Sequence, residues 1–181
     1  MSMICSVLGV TPQQMGALKA NPALASYLAV HIDEGQIGAS APGGLTALGP
    51  LEKPLDLHKS WHLLHYLFTG EVGPAESPGG MLMGGEELGE DIGYGPPRLH
   101  EAEATRAFGA FLKQMPPEKL IARLNLEEMQ RAGVYAIPMP PRAGEKELNQ
   151  LRKEARVYFE LLRDYVANMV TRNNGLLIWL S

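Results

Sequence analysis

Residues 173–181 read NNGLLIWLS, and how that stretch is read decides the fold. Leu176, Leu177, Ile178, Trp179 and Leu180 form an unbroken apolar run bounded by Gly175, the pattern of a fully buried strand. A buried strand needs partners on its edges, and the chain offers one at its other end. MICSVLGV, residues 3–10, carries the β-branched Ile4 and Val7, with Gly9 and Pro12 marking its end. Pairing the first and last strands gathers both ends of the chain into one small sheet, and the sequence between them is dominated by helical patterns. The expected fold is α+β: a single, mostly helical domain over residues 1–181, with a small sheet pairing the N-terminal and C-terminal strands.

Working inward, Thr11 caps a helix with Pro12 at its first position, where the missing N–H costs nothing. That helix runs to about Ala20, and Asn21-Pro22 restarts a second one through Tyr27 or Val30. Residues 33–54 are rich in glycine and proline with no sustained period, which predicts a loop or a mobile insertion. Asp56 is expected to open the helix DLHKSWHLLHYLFTG, with Leu57, Trp61, Leu64 and Phe68 on one face and Gly70 closing it. Residues 71–80 are turn-rich, and GGMLMGG at 79–85 supplies at most a short strand. A helix over 100–114 follows, Pro116-Pro117 starts another over 117–124, and Asn125 with Glu128 caps a short one to Arg131. VYAIPMPP, residues 134–141, is brief and extended, its prolines discouraging a central strand. The longest helix then begins at Glu145, keeps its apolar period through Leu148, Leu151, Ala155, Leu162 and Met169, and is expected to end at Gly175.

Composition excludes several classes. Sixteen Lys and Arg are interspersed with twenty Asp and Glu, for a net charge of −4, so there is no basic footprint for nucleic acid. No stretch approaches the roughly 18 to 20 apolar residues needed to cross a bilayer. The N-terminus lacks the charged start of a signal peptide, and the single cysteine, Cys5, permits no intrachain disulfide; cytoplasmic residence is the expectation. Cys5 lies in an apolar strand, where a buried inert thiol is expected rather than a nucleophile. Phosphate-binding, dinucleotide-binding and serine-hydrolase glycine motifs are absent from the sequence.

Two blocks carry a family resemblance. LDLHKSWHLLHYLFTG (55–70) and GGEELGEDIGYGPPRL (84–99) resemble the YfbM-like family of small bacterial proteins, a family of unknown function. Leu55, Asp56, Leu57, Lys59, Trp61, Leu64, His65 and Thr69-Gly70 match the first block, with His58 standing where the family has a second acid. Gly84-Gly85-Glu86, Gly89-Glu90-Asp91, Gly93-Tyr94-Gly95-Pro96 and Arg98 match the second. The resemblance implies an α+β fold and a bacterial cytosolic origin, and it supplies no activity and no cofactor.

Chemistry has two candidate seats. His62 and His65 lie on one side of a helix and could both reach a metal, but no third ligand is fixed and no His-Glu-x-x-His pattern is present. The expected arrangement is therefore a buried histidine bonded to a carbonyl or carboxylate, with no metal and no cofactor. In residues 86–98, Glu86, Glu87, Glu90 and Asp91 crowd together, so Arg98 is expected to pair with a carboxylate. Tyr94 is expected to be largely buried, in a turn packed beside helix 56–69. Two functional readings stay open. One is a noncatalytic binding or interaction module, monomer or weak homodimer, with 33–54 and 71–80 as adaptable surface and an unknown protein or small molecule as partner. The other is a small-molecule-binding protein or enzyme with a polar cleft between helix 56–69 and loop 86–98, in which His65, Asp91, Tyr94, Arg98 and Glu86 converge.

Overall fold

The computed structural model describes residues 2–32, 42–139 and 144–181. The terminal apolar run forms β5 (Gly175–Leu180), and it pairs antiparallel with β1 (Cys5–Val10) over six positions, from Cys5 opposite Leu180 to Val10 opposite Gly175. Three short strands complete the sheet: β2 (Leu55–Asp56), β3 (Glu86–Glu87) and β4 (Arg98–His100). The order is β2-β1-β5-β4-β3, every pair antiparallel, so the last strand of the chain lies at the centre. Both faces of β1 and β5 are buried, which explains why their sequences run continuously apolar instead of alternating.

Strand alternation divides the core in two. Cys5, Val7, Leu176, Ile178 and Leu180 face one way, against α3 (Ser60–Thr69), α4 (Ala102–Lys113) and α7 (Glu145–Thr171). Leu8, Val10, Leu99, Leu177 and Trp179 face the other way, against α1 (Pro12–Ala20) and α2 (Ala23–His31). Two short helices, α5 (Pro117–Ile121) and α6 (Leu126–Ala132), connect α4 towards α7. Among the described residues no helix is long and apolar enough to cross a membrane.

Local signals act as read at several ends. Thr11 Oγ1 accepts from the Gln14 N–H while the Gln14 side chain accepts from the Thr11 N–H, a reciprocal cap on α1. Asn125 caps α6 by accepting from the Glu128 N–H. Three expectations need correction. The helix predicted from Asp56 begins at Ser60, because Leu55 and Asp56 pair with Val7 and Ser6, and Asp56 Oδ1 accepts from the His58 N–H at 2.6 Å. GGMLMGG makes a 3-10 turn at Gly79–Leu82, not a strand. Gly175 does not end the last helix. That helix stops at Thr171 and Asn173 takes the left-handed conformation (φ 56°), while Gly175 begins the strand because a Cβ there would overlap the His100 carbonyl oxygen. The described part of the long stretch 33–54 is the expected loop, with one 3-10 turn at Leu45–Leu48, and the buried Gln14 side chain fastens it by donating to the carbonyls of Leu48 (2.8 Å) and Pro50 (2.9 Å). Residues 33–41 of that stretch, and Pro140 and Pro141 of the extended one, lie outside the described residues.

Candidate functional site

The two histidines of α3 turn out to serve the loop that follows the helix. His62 Nε2–H donates to the Val72 carbonyl at 2.8 Å, and its Nδ1 accepts from the Tyr135 N–H at 2.8 Å. One ring thus ties two separate backbone segments to the helix. His65, fully buried, donates from Nε2 to the Gly73 carbonyl at 2.7 Å. Burial holds its pKa below the ordinary histidine value, with the Gly73 carbonyl opposing and His62 adding to the shift. Thr69 closes the same corner: its hydroxyl donates to the His65 carbonyl at 2.8 Å and accepts from the Glu71 N–H at 3.0 Å.

Beyond this corner, residues 71–80 form one wall of an open groove of about 630 Å³. Phe68 of α3 and Phe111 of α4 line it, and Glu71 and Glu76 stand along it. Phe68 sits edge-on to Phe111 with ring centroids 5.6 Å apart, which fixes the aromatic side. The far end of the loop is equally constrained. The Gly80 N–H donates to the Glu76 carbonyl at 3.0 Å, and any Cβ at Gly80 would overlap the Ala75 carbonyl oxygen. Sequence reasoning marked 71–80 as adaptable surface and assigned Phe68 and Phe111 to apolar helix faces. The detectable signal was the His62/His65 pair one turn upstream, whose reach to the loop depends on which way two carbonyls point.

Residues 86–98 are ordered differently from expectation. Strand pairing sets Glu86 opposite Leu99 and Glu87 opposite Arg98, so Glu86 and Arg98 project from opposite faces of the sheet. Glu86 lies 3.4 Å from Lys19 of α1, which also binds Glu101. Arg98 shares its face with Cys5 and His100, and its Nη2 donates to the Leu82 carbonyl at 3.2 Å. No carboxylate among the described residues comes within ion-pair distance of it, which corrects the expected pairing. The two-residue period of β3 turns Glu86 to the other face, and Asp91 is held by its own turn. The Arg98 guanidinium reaches inward to the Leu82 carbonyl, while the cross-strand Glu87 stays exposed and acts on it only at longer range. Asp91 spends Oδ1 on the Gly93 and Gly95 N–H groups, 2.7 and 3.0 Å away, and these bonds hold its carboxyl below the usual carboxylate range. Tyr94 is half-buried against the larger core, not largely buried. The segment also packs on α2 as well as the α3 side: Ser26 Oγ accepts from the Glu90 N–H at 2.7 Å, and Leu88 and Ile92 join the core beneath α1 and α2.

Of the five candidates, then, Glu86 is turned away from Arg98 by the sheet, Asp91 is committed to its own turn, and His65 to Gly73. Arg98 and His100 share the inner face. Burial pushes the His100 pKa down to about 4, with the Met81 and Gly84 carbonyls opposing and Arg98 adding. Burial likewise pushes the Cys5 thiol up to about 12, which keeps it protonated and unreactive. Among the described residues no three His, Cys, Asp or Glu side chains are grouped to hold a metal ion.

Comparison with known proteins places this arrangement in a family. No curated protein matches the chain. A crystal structure of YfbM from Escherichia coli, described as a protein of unknown function, is similar in fold: TM-score 0.68 at 18% identity, covering 98% of this chain and 99% of that one. The family model titled "Domain of unknown function (DUF1877)" matches residues 1–179, and the chain belongs to that family.

Proposed function

We propose that the protein is a noncatalytic binding module of the bacterial cytosol whose working surface is the groove walled by residues 71–80. One observation carries this reading: His62 and His65 spend ring nitrogens on the Val72 and Gly73 carbonyls, so the wall is built before any ligand arrives. Preorganisation of that kind lowers the ordering cost of binding. Phe68 and Phe111 offer apolar and π surface, and Glu71 and Glu76 offer negative charge, so the groove suits a small molecule or protein side chain with an apolar body and a cationic end.

The test is an amide NMR titration with phenethylammonium and with arginine methyl ester as probes. The reading expects shift changes confined to residues 68–80 and around Phe111, weakened in Glu71→Gln and Glu76→Gln. Changes centred instead on Arg98, Tyr94 and His65 would overturn it in favour of a small-molecule site on the inner face of the sheet, without Glu86 and Asp91, which the sheet register and the 91–95 turn hold away. That second reading draws on one feature: His65 Nδ1 and Arg98 Nε are buried without a hydrogen-bond partner among the described residues.

A further inference from the structure

A second groove lies on another side of α4, where that helix packs on α7. The two run antiparallel: Arg106 Nη1 donates to Asn173 Oδ1 at 2.8 Å, while Gly109, further along α4, packs on Val170 and Val166, earlier in α7. A Cβ at Gly109 would stand 2.9 Å from Val170 Cγ2, so glycine is what lets the helices approach closely here. Outside that contact the small side chains of Ala110 and Ala167 leave an open trough of about 600 Å³ with a mainly apolar floor.

The rim of the trough opposes the charge of the molecule. Arg106, Lys113 and Arg163 surround it, with Asp164 as the one carboxylate lining it, in a chain whose net charge is −4. Asp164 is engaged by Arg163 Nε at 3.2 Å, Arg106 is bonded to a neutral amide, and Lys113 makes no ion pair among the described residues. Two positive charges therefore remain uncompensated beside an apolar floor. Along α7, at the Arg163 end, Val157 and Leu161 leave further apolar surface exposed, at 51% and 47%. The stretch from Arg106 to Lys113 spans about 10 Å of helix axis, roughly two turns.

From this geometry we infer that the α4–α7 trough docks an acidic amphipathic helix of a protein partner. The apolar side of the occupant lies on Ala110 and Ala167, where small residues allow close helix packing, and its flanking carboxylates meet Lys113 and Arg106, the two cations left uncompensated. This surface is separate from the groove under loop 71–80, so either can fail without the other.

The experiment is fluorescence anisotropy with the full chain and a short synthetic helix bearing a Leu/Ala face and Glu flanks, beside a twin with Lys flanks. The Glu peptide is expected to bind at least about tenfold more tightly than its Lys twin, with affinity falling as salt rises. Ala110→Trp, which fills the trough, and the double variant Lys113→Glu, Arg106→Glu are each expected to weaken it about tenfold or more. Glu127→Gln, on α6 and outside the trough, should leave it unchanged. These positions are exposed or half-buried, so circular dichroism should show an intact fold. Equal binding of the two peptides, or insensitivity to Ala110→Trp, overturns the inference. So does a concentration-dependent dimer in sedimentation that Ala110→Trp abolishes, because the occupant would then be a second copy of the chain.

Discussion

At the residue scale, identical side chains do different work according to what their ring nitrogens face. His62 ties α3 to two backbone segments at once, so its removal leaves both the Val72 carbonyl and the Tyr135 N–H without a partner. His62→Ala is expected to destabilise by about 1 to 3 kcal/mol, the cost of leaving two part-buried backbone groups unpaired, read from urea unfolding. A change under about 1 kcal/mol would mean the two bonds carry little of the structure. Arg98 is the contrasting case. Its guanidinium is half-buried, burial pulls its pKa below the ordinary arginine value, and one carbonyl bond is its only hydrogen bond among the described residues. With no carboxylate at ion-pair distance, and the cross-strand Glu87 offsetting its desolvation only in part, Arg98→Met should be neutral within about 1 kcal/mol or stabilising. A loss of several kcal/mol would reveal a partner that the geometry does not contain.

At the element scale, the wall of the groove depends on backbone approach. The Cβ of Gly80→Ala would overlap the Ala75 carbonyl, so this variant should destabilise by about 1 to 3 kcal/mol and speed hydrogen exchange across residues 71–80. An unchanged exchange pattern would show that the loop tolerates repacking. How far each element could be read beforehand follows from where its determinants lie. The terminal strands, the Thr11 cap and the period of α7 were legible because each is specified within a few residues of itself. The start of α3 was not, since Asp56 is drawn into the sheet by Ser6, fifty positions away in sequence. The Arg98 pairing was not legible because crowding of four acids along the sequence says nothing about faces or reach: Glu86 is turned to the other face, and Arg98 extends inward to the Leu82 carbonyl instead of out to the cross-strand Glu87. The groove was half visible: residues 71–80 stood out by composition, but their brace depends on the direction of two carbonyls, which no side-chain pattern encodes.

At the scale of the whole molecule, buried histidine makes stability depend on pH. His100 has a folded pKa of about 4 against an ordinary value of 6.5, so between those values the unfolded chain binds the extra proton. Its contribution is complete above pH 6.5 and is lost as pH falls towards 4, amounting to about 3 kcal/mol, with His65 acting in the same direction. Urea midpoints should therefore fall between about pH 7 and about pH 4.5, and His100→Gln should flatten that slope; an equal slope in the variant would contradict the assignment. The same titration bears on function only if the α3 histidines hold the loop instead of reacting or binding metal. The most direct measurement of that is long-range proton–nitrogen NMR of the histidine rings at neutral pH, before and after addition of zinc. His62 and His65 should each appear as the fixed Nε2–H tautomer, with signals that zinc leaves in place. Averaged tautomers, or ring nitrogens that shift on zinc addition, would contradict it and return the pair to chemistry.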